Sequence, residues 1–580
     1  VNRRILPLLI LLPTVLGGCG PRSADLLLTN ARVYTLAWGE PGSDGAPALD
    51  APYSAAEGWR PDAEAVAMRN GRIVFVGSAE DAEAYRGAPT EVLDLGGATV
   101  LPGMVDSHTH VVELGALLAR VNLVDVATEE EAVALVVERA SQVPEGTWIV
   151  GAGWDEGAWA DRYPDMELIS EQVPNHPVYM RSLHGFAGWG NRMAFELAGI
   201  TADTETPVGG EIRKDAQGDP TGLLLNRAVP LLDDAIPAPN HEQLQEQILD
   251  GLGEMARSGF VAVHEAGAPA ATMAAFEALE ADQRLPVRVY SMLSGRDTAV
   301  LALWEAQGPD RDGDSMLRTR SVKAFYDGAL GSRGARLLED YSDTPGHRGL
   351  SGEGYGFDAE WMRRMMAAGF QVAIHAIGDA GNRESLDFIE SVYEEVPRAR
   401  ENRNRIEHAQ VVHPDDIGRF AELDLVASME PAHAVEDMPW AEERVGPDRI
   451  RGAYAWRTLR TAGAELTFNA DLPGSDWSVF YGMHAGMTRR NKSREPSGGW
   501  YPTQSLTAEE TVRAYTNWAA FVAFNEDDTG IIEAGRWADL TVMDIDPFSL
   551  ESEDPGGILD GEIVATIVGG RVVYRRPVGG

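Results

Sequence analysis

The chain has 580 residues, 44% apolar and 24% charged, with a formal charge of −41 at pH 7. That length exceeds one small module, and that apolar share excludes a chain disordered throughout. The acidic excess argues against nucleic acid or a bare anionic membrane surface as partner, and a single cysteine, Cys19, excludes an internal disulfide or a cysteine-built zinc site.

The chain begins with a short cationic stretch, Asn2-Arg3-Arg4, followed by the apolar run Ile5–Leu16. A membrane-spanning helix needs about 20 apolar residues, so this run is too short to span and fits the apolar region of a secretory signal. It ends Leu16-Gly17-Gly18-Cys19, which resembles a bacterial lipobox. The expectation is a signal peptide over 1–18, cleavage before Cys19 and diacylation of that cysteine. The protein would then be exported and lipid-anchored in the cell envelope, on the periplasmic face of the outer membrane, with membrane contact through the anchor. An ordinary signal peptide with an incidental cysteine is the alternative.

Residues 25–36 read as a strand, 37–61 as a loop rich in Gly, Pro and Ala, and 65–68 and 72–76 as strands about an Asn70-Gly71 turn. Near the other end, 539–543, 563–567 and 571–574 are short β-rich runs, and Gly570-Arg571-Val572-Val573 echoes Gly71-Arg72-Ile73-Val74. Residues 25–98 and 526–580 are therefore expected to form one small composite β-sandwich. Residues 99–525 would form the domain between them.

Within that domain lie eight apolar runs of the kind a sheet buried on both faces needs: 99–105, 260–264, 287–292, 321–325, 370–375, 405–408, 425–429 and 465–469. Most are separated by helical patterns, such as 359–368 and 382–395. The alternation predicts an α/β fold, a (β/α)8 TIM barrel. The wide gap after the first run, with strand-like 148–151 and 178–181, predicts an insertion subdomain at about 125–245.

In such a barrel, chemistry sits at the C-terminal ends of the strands. His108 and His110 end the first run two residues apart, so they can face one ion. His375 ends the fifth run, His408 the sixth, and Asp471 follows the eighth. Four imidazoles and a carboxylate suit a borderline metal, taken here as zinc. Lys323, one of three lysines in the chain, stands among apolar residues on the fourth run. Burial disfavours its ammonium, and a neutral amine can add carbon dioxide to become a carbamate; an ordinary ion pair with Asp327 is the plain alternative.

Taken together, His-x-His, Lys, His, His and Asp in that order, each on a different strand, resemble the amidohydrolase superfamily, and more narrowly the branch of metal-dependent hydrolases that includes N-substituted formamide deformylase. The likeness rests on Leu101-Pro102-Gly103-Met104-Val105-Asp106-Ser107-His108-Thr109-His110, on Val322-Lys323 with Asp327-Gly328-Ala329-Leu330-Gly331-Ser332-Arg333, on His375-Ala376-Ile377-Gly378-Asp379, on Arg405-Ile406-Glu407-His408-Ala409-Gln410 and on Ala470-Asp471-Leu472-Pro473. The resemblance implies a first metal on His108, His110 and Asp471, a second on His375 and His408, and a carboxylated Lys323 bridging two zinc ions. Asp471 would also be the catalytic proton carrier; Asp476 is a second candidate for that acid.

The implied reaction on a small-molecule substrate is hydrolysis of an amide-type C–N bond in an N-acyl, N-formyl or cyclic amide. The alternatives are an esterase or lactonase on the same site, or a non-catalytic ligand-binding lipoprotein; a homodimer is left open. Substrate-contact candidates are Trp154, His184, Arg333 and Glu430, the last where the family commonly has Gln. His176, His241, His347, His413 and His484 are assigned to structure or surface.

Overall fold

The computed structural model describes residues 23–155, 163–350 and 352–577. Cys19 and the signal segment before it lie outside the described residues.

Eight parallel strands, Met104–Thr109, Phe260–Ala268, Arg288–Ser294, Leu317–Phe325, Gln371–Ala376, Arg405–His408, Val426–Met429 and Glu465–Phe468, hydrogen-bond to their neighbours in chain order. The eighth returns to the first through a parallel bridge between Thr109 and Leu472, and the Ser107 hydroxyl donates to the Phe468 carbonyl at 2.8 Å. The result is a nearly closed TIM barrel, whose core runs through Val263, Val289, Val322, Ile374, Ile406 and Leu466.

The helices between strands follow from local chemistry. Ala359–Ala368 starts at Asp358, whose side chain accepts the Trp361 N–H, buries Met362, Met365 and Met366 at helical spacing, and stops at Gly369 in the left-handed region. The helix expected from residue 382 begins earlier, at Asp379. The helix Val111–Leu118, which leaves the first strand just past His110, crosses His241–Arg257 with little space between them. A Cβ at Gly115 would stand 1.8 Å from the Gln247 carbonyl oxygen, and one at Gly251 2.2 Å from that of Val111. Only glycine permits that approach, and it sets the direction in which the chain departs from His108 and His110.

The run 99–105 was expected to be one barrel strand and is two. Thr99–Pro102 pairs with Leu540–Met543 and Arg32–Val33 outside the barrel, and the barrel strand begins at Met104. The break is at Gly103, where a Cβ would lie 2.3 Å from a Val261 methyl. The outer sheet has five strands, Arg32–Val33, Thr99–Pro102, Leu540–Met543, Ile563–Val568 and Arg571–Arg575, so both chain ends contribute to it. A four-stranded sheet, Arg72–Gly77, Ala65–Arg69, Leu26–Thr29 and Glu91–Asp94, packs against it through Leu28, Val66, Val100, Leu540 and Ile567. Asn70 and Gly71 make the hairpin turn with φ of 52° and 77°. The segment 37–61, read as loop, carries a small ribbon, Tyr53–Ser54 with Gly58–Trp59.

A six-stranded sheet, in the order Val121–Asn122, Ile149–Trp154, Val178–Ser182, Ala187–Gly190, Pro220–Asn226 and Gly210–Lys214, occupies the gap between the first two barrel strands. It has cores of its own about Trp154, Trp189 and Leu223, and about Tyr179, Phe195 and Leu224.

Candidate metal centre

The barrel interior below the mouth is polar and built from the inside outward. Arg405 and Glu407, two apart on the sixth strand, share one face and are fully buried. The guanidinium grips the carboxylate with Nε to Oε1 at 2.7 Å and a terminal nitrogen to Oε2 at 2.9 Å. It also donates to the Ser107 carbonyl at 2.7 Å and the Ser428 hydroxyl at 2.9 Å. Glu407 Oε2 then meets His108 Nδ1 at 2.5 Å. Burial pushes the Glu407 carboxyl up, but Arg405 and His108 outweigh it and hold it well below the usual range. A carboxylate behind an imidazole fixes its tautomer and turns the other nitrogen toward the site.

His108 Nε2 faces Lys323 Nζ at 2.9 Å and Asp471 Oδ1 at 3.6 Å. His110 Nε2 lies 3.3 Å from the same Asp471 oxygen. Burial, then Lys323, lowers the His108 imidazole to about 4. His375 is likewise held well below its ordinary value, by burial first and His408 second. Both rings are therefore neutral at pH 7 with lone pairs to give. Burial lowers Lys323 as well, against the pull of Asp471 and Glu407. Burial raises the Asp471 carboxyl, but the surrounding histidines, His108 foremost, keep it well below the usual range.

Alternation along a strand puts neighbouring side chains on opposite faces. Glu407 and His408 nonetheless both reach His108, the second with ring centroids 5.2 Å apart. The cause is backbone: His408 has φ of 72° and Ala409 40°, in the left-handed region, which turns the strand end and swings His408 inward. Asp471 sits at φ 50°. Such positions cost about 1–3 kcal/mol each and gather where the chain holds side chains for chemistry.

Two triads of donor atoms result, each within 4.8 Å: His108, His110 and Asp471, and His408, His433 and Asp471. Asp471 belongs to both. His375 belongs to neither, although its ring meets that of His408 edge-on at 4.4 Å. Its Nε2 is buried without a hydrogen bond, 3.6 Å from Asp327 Oδ1. Asp327 itself accepts the backbone N–H groups of Arg336, Ile377 and Gly378 at 2.8, 2.9 and 2.9 Å. It is thus committed to the loops after the fourth and fifth strands and not to Lys323, which is 1% exposed and has His108 and the Phe325 ring as its neighbours.

The substrate-contact candidates fare unevenly. Glu430 is buried beside the centre, with Oε2 3.2 Å from His408 Nδ1 and 3.6 Å from His433 Nδ1. It therefore backs two imidazoles and is not open to a ligand. Trp154 does not line the mouth: it fills the core of the inserted sheet, its indole N–H on the Met180 carbonyl at 3.0 Å. Arg333 forks onto Asp343 at 2.7 and 3.2 Å, which occupies the face that would have met a carboxylate ligand. His184 is exposed in the turn between two inserted strands. Asp476 pairs with Lys492 and accepts the Ser478 N–H at 2.7 Å, which leaves Asp471 as the acid of the centre.

Sequence reasoning missed Arg405, Glu407 and His433. The first two carry a legible signal, opposite charges two apart on a strand. For His433 the signal is its position three residues past Glu430, on the helix Pro431–Asp437 that starts where the seventh strand ends. Burial lowers the His433 imidazole, but Glu430 outweighs it and raises the ring to about 9.

Imidazole and carboxylate donors gathered at the strand ends of a nearly closed barrel form a candidate metal centre. The chain belongs to the amidohydrolase family, whose profile matches residues 91–574. It is 30% identical over 580 residues to Protein LONG AFTER FAR-RED 3 of Arabidopsis thaliana, spanning 95% of this chain and 92% of that protein. It is 27% identical over 570 residues to the N-substituted formamide deformylase of Arthrobacter pascens, across 95% and 98%. Among solved structures, an uncharacterized metal-dependent hydrolase from Pyrococcus furiosus superposes with a TM-score of 0.69 at 26% identity, over 90% of this chain and 99% of that one.

Proposed function

We propose that the protein hydrolyses an amide-type C–N bond, in an N-acyl, N-formyl or cyclic amide of a small molecule, with two zinc ions. The observation that carries this is the position of Asp471, a carboxylate shared by two groups of imidazoles at the mouth of a barrel. The donors fit such ions: neutral buried imidazoles, one with an unpartnered nitrogen, and a carboxylate, all borderline or hard ligands. His108, His110 and Asp471 would hold one ion, and His408, with His375 and Lys323 beside it, would stand at the other. Divalent ions here supply an activated water and a Lewis acid for the scissile carbonyl.

The chain's own groups do the rest. Arg405 and Glu407 lock the His108 ring. Asp471, 24% exposed at the mouth, takes a proton from the attacking water and delivers it to the leaving nitrogen, since an amide anion leaves poorly. Lys323, buried and disfavoured as ammonium, would add carbon dioxide through its neutral amine: an N–C bond forms, one C=O π bond of carbon dioxide opens and a proton leaves, which would give an anionic carbamate ligand for a divalent ion. The relative named for N-substituted formamides supports N-formyl compounds as first substrates.

The test is release of free amine from a panel of N-formyl, N-acyl and cyclic amides and matched esters, with metal content measured on the same preparation. Amine release that requires the metal is expected; ester cleavage alone would replace this reading. We also propose lipid attachment at Cys19, on the lipobox and the lone thiol. Among the described residues no helix is long and apolar enough to cross a membrane. Mass spectrometry of the membrane-extracted N-terminus would show a diacylated Cys19, and Cys19→Ser should release the protein.

A further inference from the structure

Arg296 stands two residues past the end of the third barrel strand, exposed at the same end of the barrel as the candidate metal centre. Gly295 places it there. The Gly295 N–H donates to the Lys323 carbonyl at 2.8 Å, so the pairing of Ser294 with Lys323 runs on by one residue. A Cβ at Gly295 would stand 2.6 Å from that carbonyl oxygen, and only glycine lets the chain pass so close. The Arg296 guanidinium lies over the Phe325 ring, 4.2 Å from its centroid. Lys323 Nζ is 4.6 Å from the same centroid, and the His375 ring meets Phe325 with centroids 5.6 Å apart. One half-buried phenyl ring thus neighbours Lys323, His375 and Arg296 at once.

The guanidinium is free to bind. Among the described residues no carboxylate pairs with it, and its hydrogen bond goes to the Tyr355 carbonyl at 3.3 Å. The adjacent Asp297 is committed to capping: it accepts the Ala299 and Val300 N–H groups at 3.1 and 3.2 Å and that of Ala270 at 2.9 Å. Arg333 and Arg336, in the loop after the fourth strand, are by contrast held by Asp343 and Glu384. A chain of net charge −41 thus leaves this arginine, beside the centre, without an acid of its own. A guanidinium held over an aromatic face keeps its N–H edge open, and that edge matches a carboxylate through two parallel hydrogen bonds.

The geometry points to Arg296 as the group that binds a carboxylate of the substrate, which narrows the amides to N-formyl and N-acyl amino acids. This rests on the hydrolysis proposed above. In such a molecule a single carbon separates the carboxylate from the amide nitrogen. A cation one ring away from Lys323 and His375 can therefore hold the carboxylate while the scissile carbonyl lies at the centre. The negative charge of the whole chain does not forbid an anion, since screening confines it to about 8 Å at physiological salt and the nearest cation decides at the mouth.

The test uses the full chain in its metal-loaded form and pairs of substrates: N-formylalanine and N-formylphenylalanine, in both enantiomers, each beside its C-terminal carboxamide. The wild-type protein should turn over the acids with kcat/KM about 10–100-fold above the carboxamides. Arg296→Gln should raise KM for the acids and bring that ratio near one. Arg296→Lys should keep part of it, because an ammonium retains the charge without the fork. A merely structural arginine would lower both members of a pair alike. A wild-type ratio near one, or an equal loss on acid and carboxamide in Arg296→Gln, would overturn the inference. Calorimetric binding of N-methylsulfonyl-phenylalanine and of its carboxamide, in which a sulfonamide replaces the scissile amide, reads the same contact without turnover. Tighter binding of the acid that Arg296→Gln removes, in a protein that releases amine from no amide, would count against the proposed reaction and leave the carboxylate contact standing. Equal binding of the two would overturn the contact itself.

Discussion

The barrel mouth and the inserted six-stranded sheet are both buried, yet they bury opposite kinds of group. In the insertion, tryptophans fill the core and satisfy their one polar atom on backbone: Trp154 on the Met180 carbonyl and Trp189 on that of Asp165, at 3.0 and 2.7 Å. At the barrel mouth, ionisable groups are stacked in depth, from Arg405 to Glu407 to His108 to Asp471. Some of their neighbours' atoms are left without hydrogen bonds, among them His375 Nε2 and Glu430 Oε1. Leaving a buried polar atom unpaired costs about 1–3 kcal/mol. The insertion spends its burial on folding, whereas the mouth keeps open valences that an ion can fill.

That contrast can be broken by substitution. The largest effect is expected at Asp471. Asp471→Asn should lower kcat for amine release by about 10²–10⁴-fold while circular dichroism stays unchanged, because the proton carrier goes and the fold does not need it. Chelation should likewise abolish turnover, and zinc should restore it; turnover that survives chelation would remove the metal from the mechanism. His375→Ala is expected to abolish turnover in a folded protein, and full activity there would count against the two-ion site.

Trp154→Ala tests the other region. A cavity in the insertion core should cost about 3–5 kcal/mol in denaturant unfolding while metal content stays at the wild-type value. A loss of metal in that variant would mean that the two regions are not separate in function. Glu407→Gln joins the two behaviours, since it leaves the shape and removes the charge behind His108; about 10–100-fold weaker metal binding is expected by titration.

The smallest effect belongs to the pair that lies outside both regions, Arg333 and Asp343. The hydrogen bond from Arg333, ahead of that from Arg444, holds the Asp343 carboxyl down to about 2. A depressed carboxyl stabilises the folded state above its ordinary value near 4 and loses that contribution as pH falls toward 2. Asp343→Asn should therefore lower Tm slightly at pH 7, and the difference from wild type should close as pH falls through that window. Arg333→Ala should leave KM for the best amide unchanged; a raised KM would return Arg333 to the substrate.

Much of the barrel was legible because a parallel sheet buried on both faces demands apolar runs, and eight of them alternate with helical patterns. The run at 99–105 misled, because its apolar character serves two sheets and the division at Gly103 comes from a contact with Val261, far along the chain. Candidate donor types were legible too, since few residue types bind metal and these fall at strand ends. Trp154 and Arg333 were misplaced for a different reason. An aromatic in a glycine-rich stretch and an arginine in a loop can each serve a ligand, and the partner that claims them, Met180 or Asp343, is visible only in three dimensions.

The sequence by itself determined the strand count, the donor types and their order, because periodicity and side-chain chemistry are local properties of the chain. The tertiary structure decided which carboxylate stands behind which imidazole, that His408 and Asp471 turn inward on left-handed backbone, and that His433 reaches Asp471 while Asp476 goes to Lys492. Those outcomes depend on contacts such as His108 to Glu407, 299 residues apart, where barrel closure and not local pattern brings the atoms together.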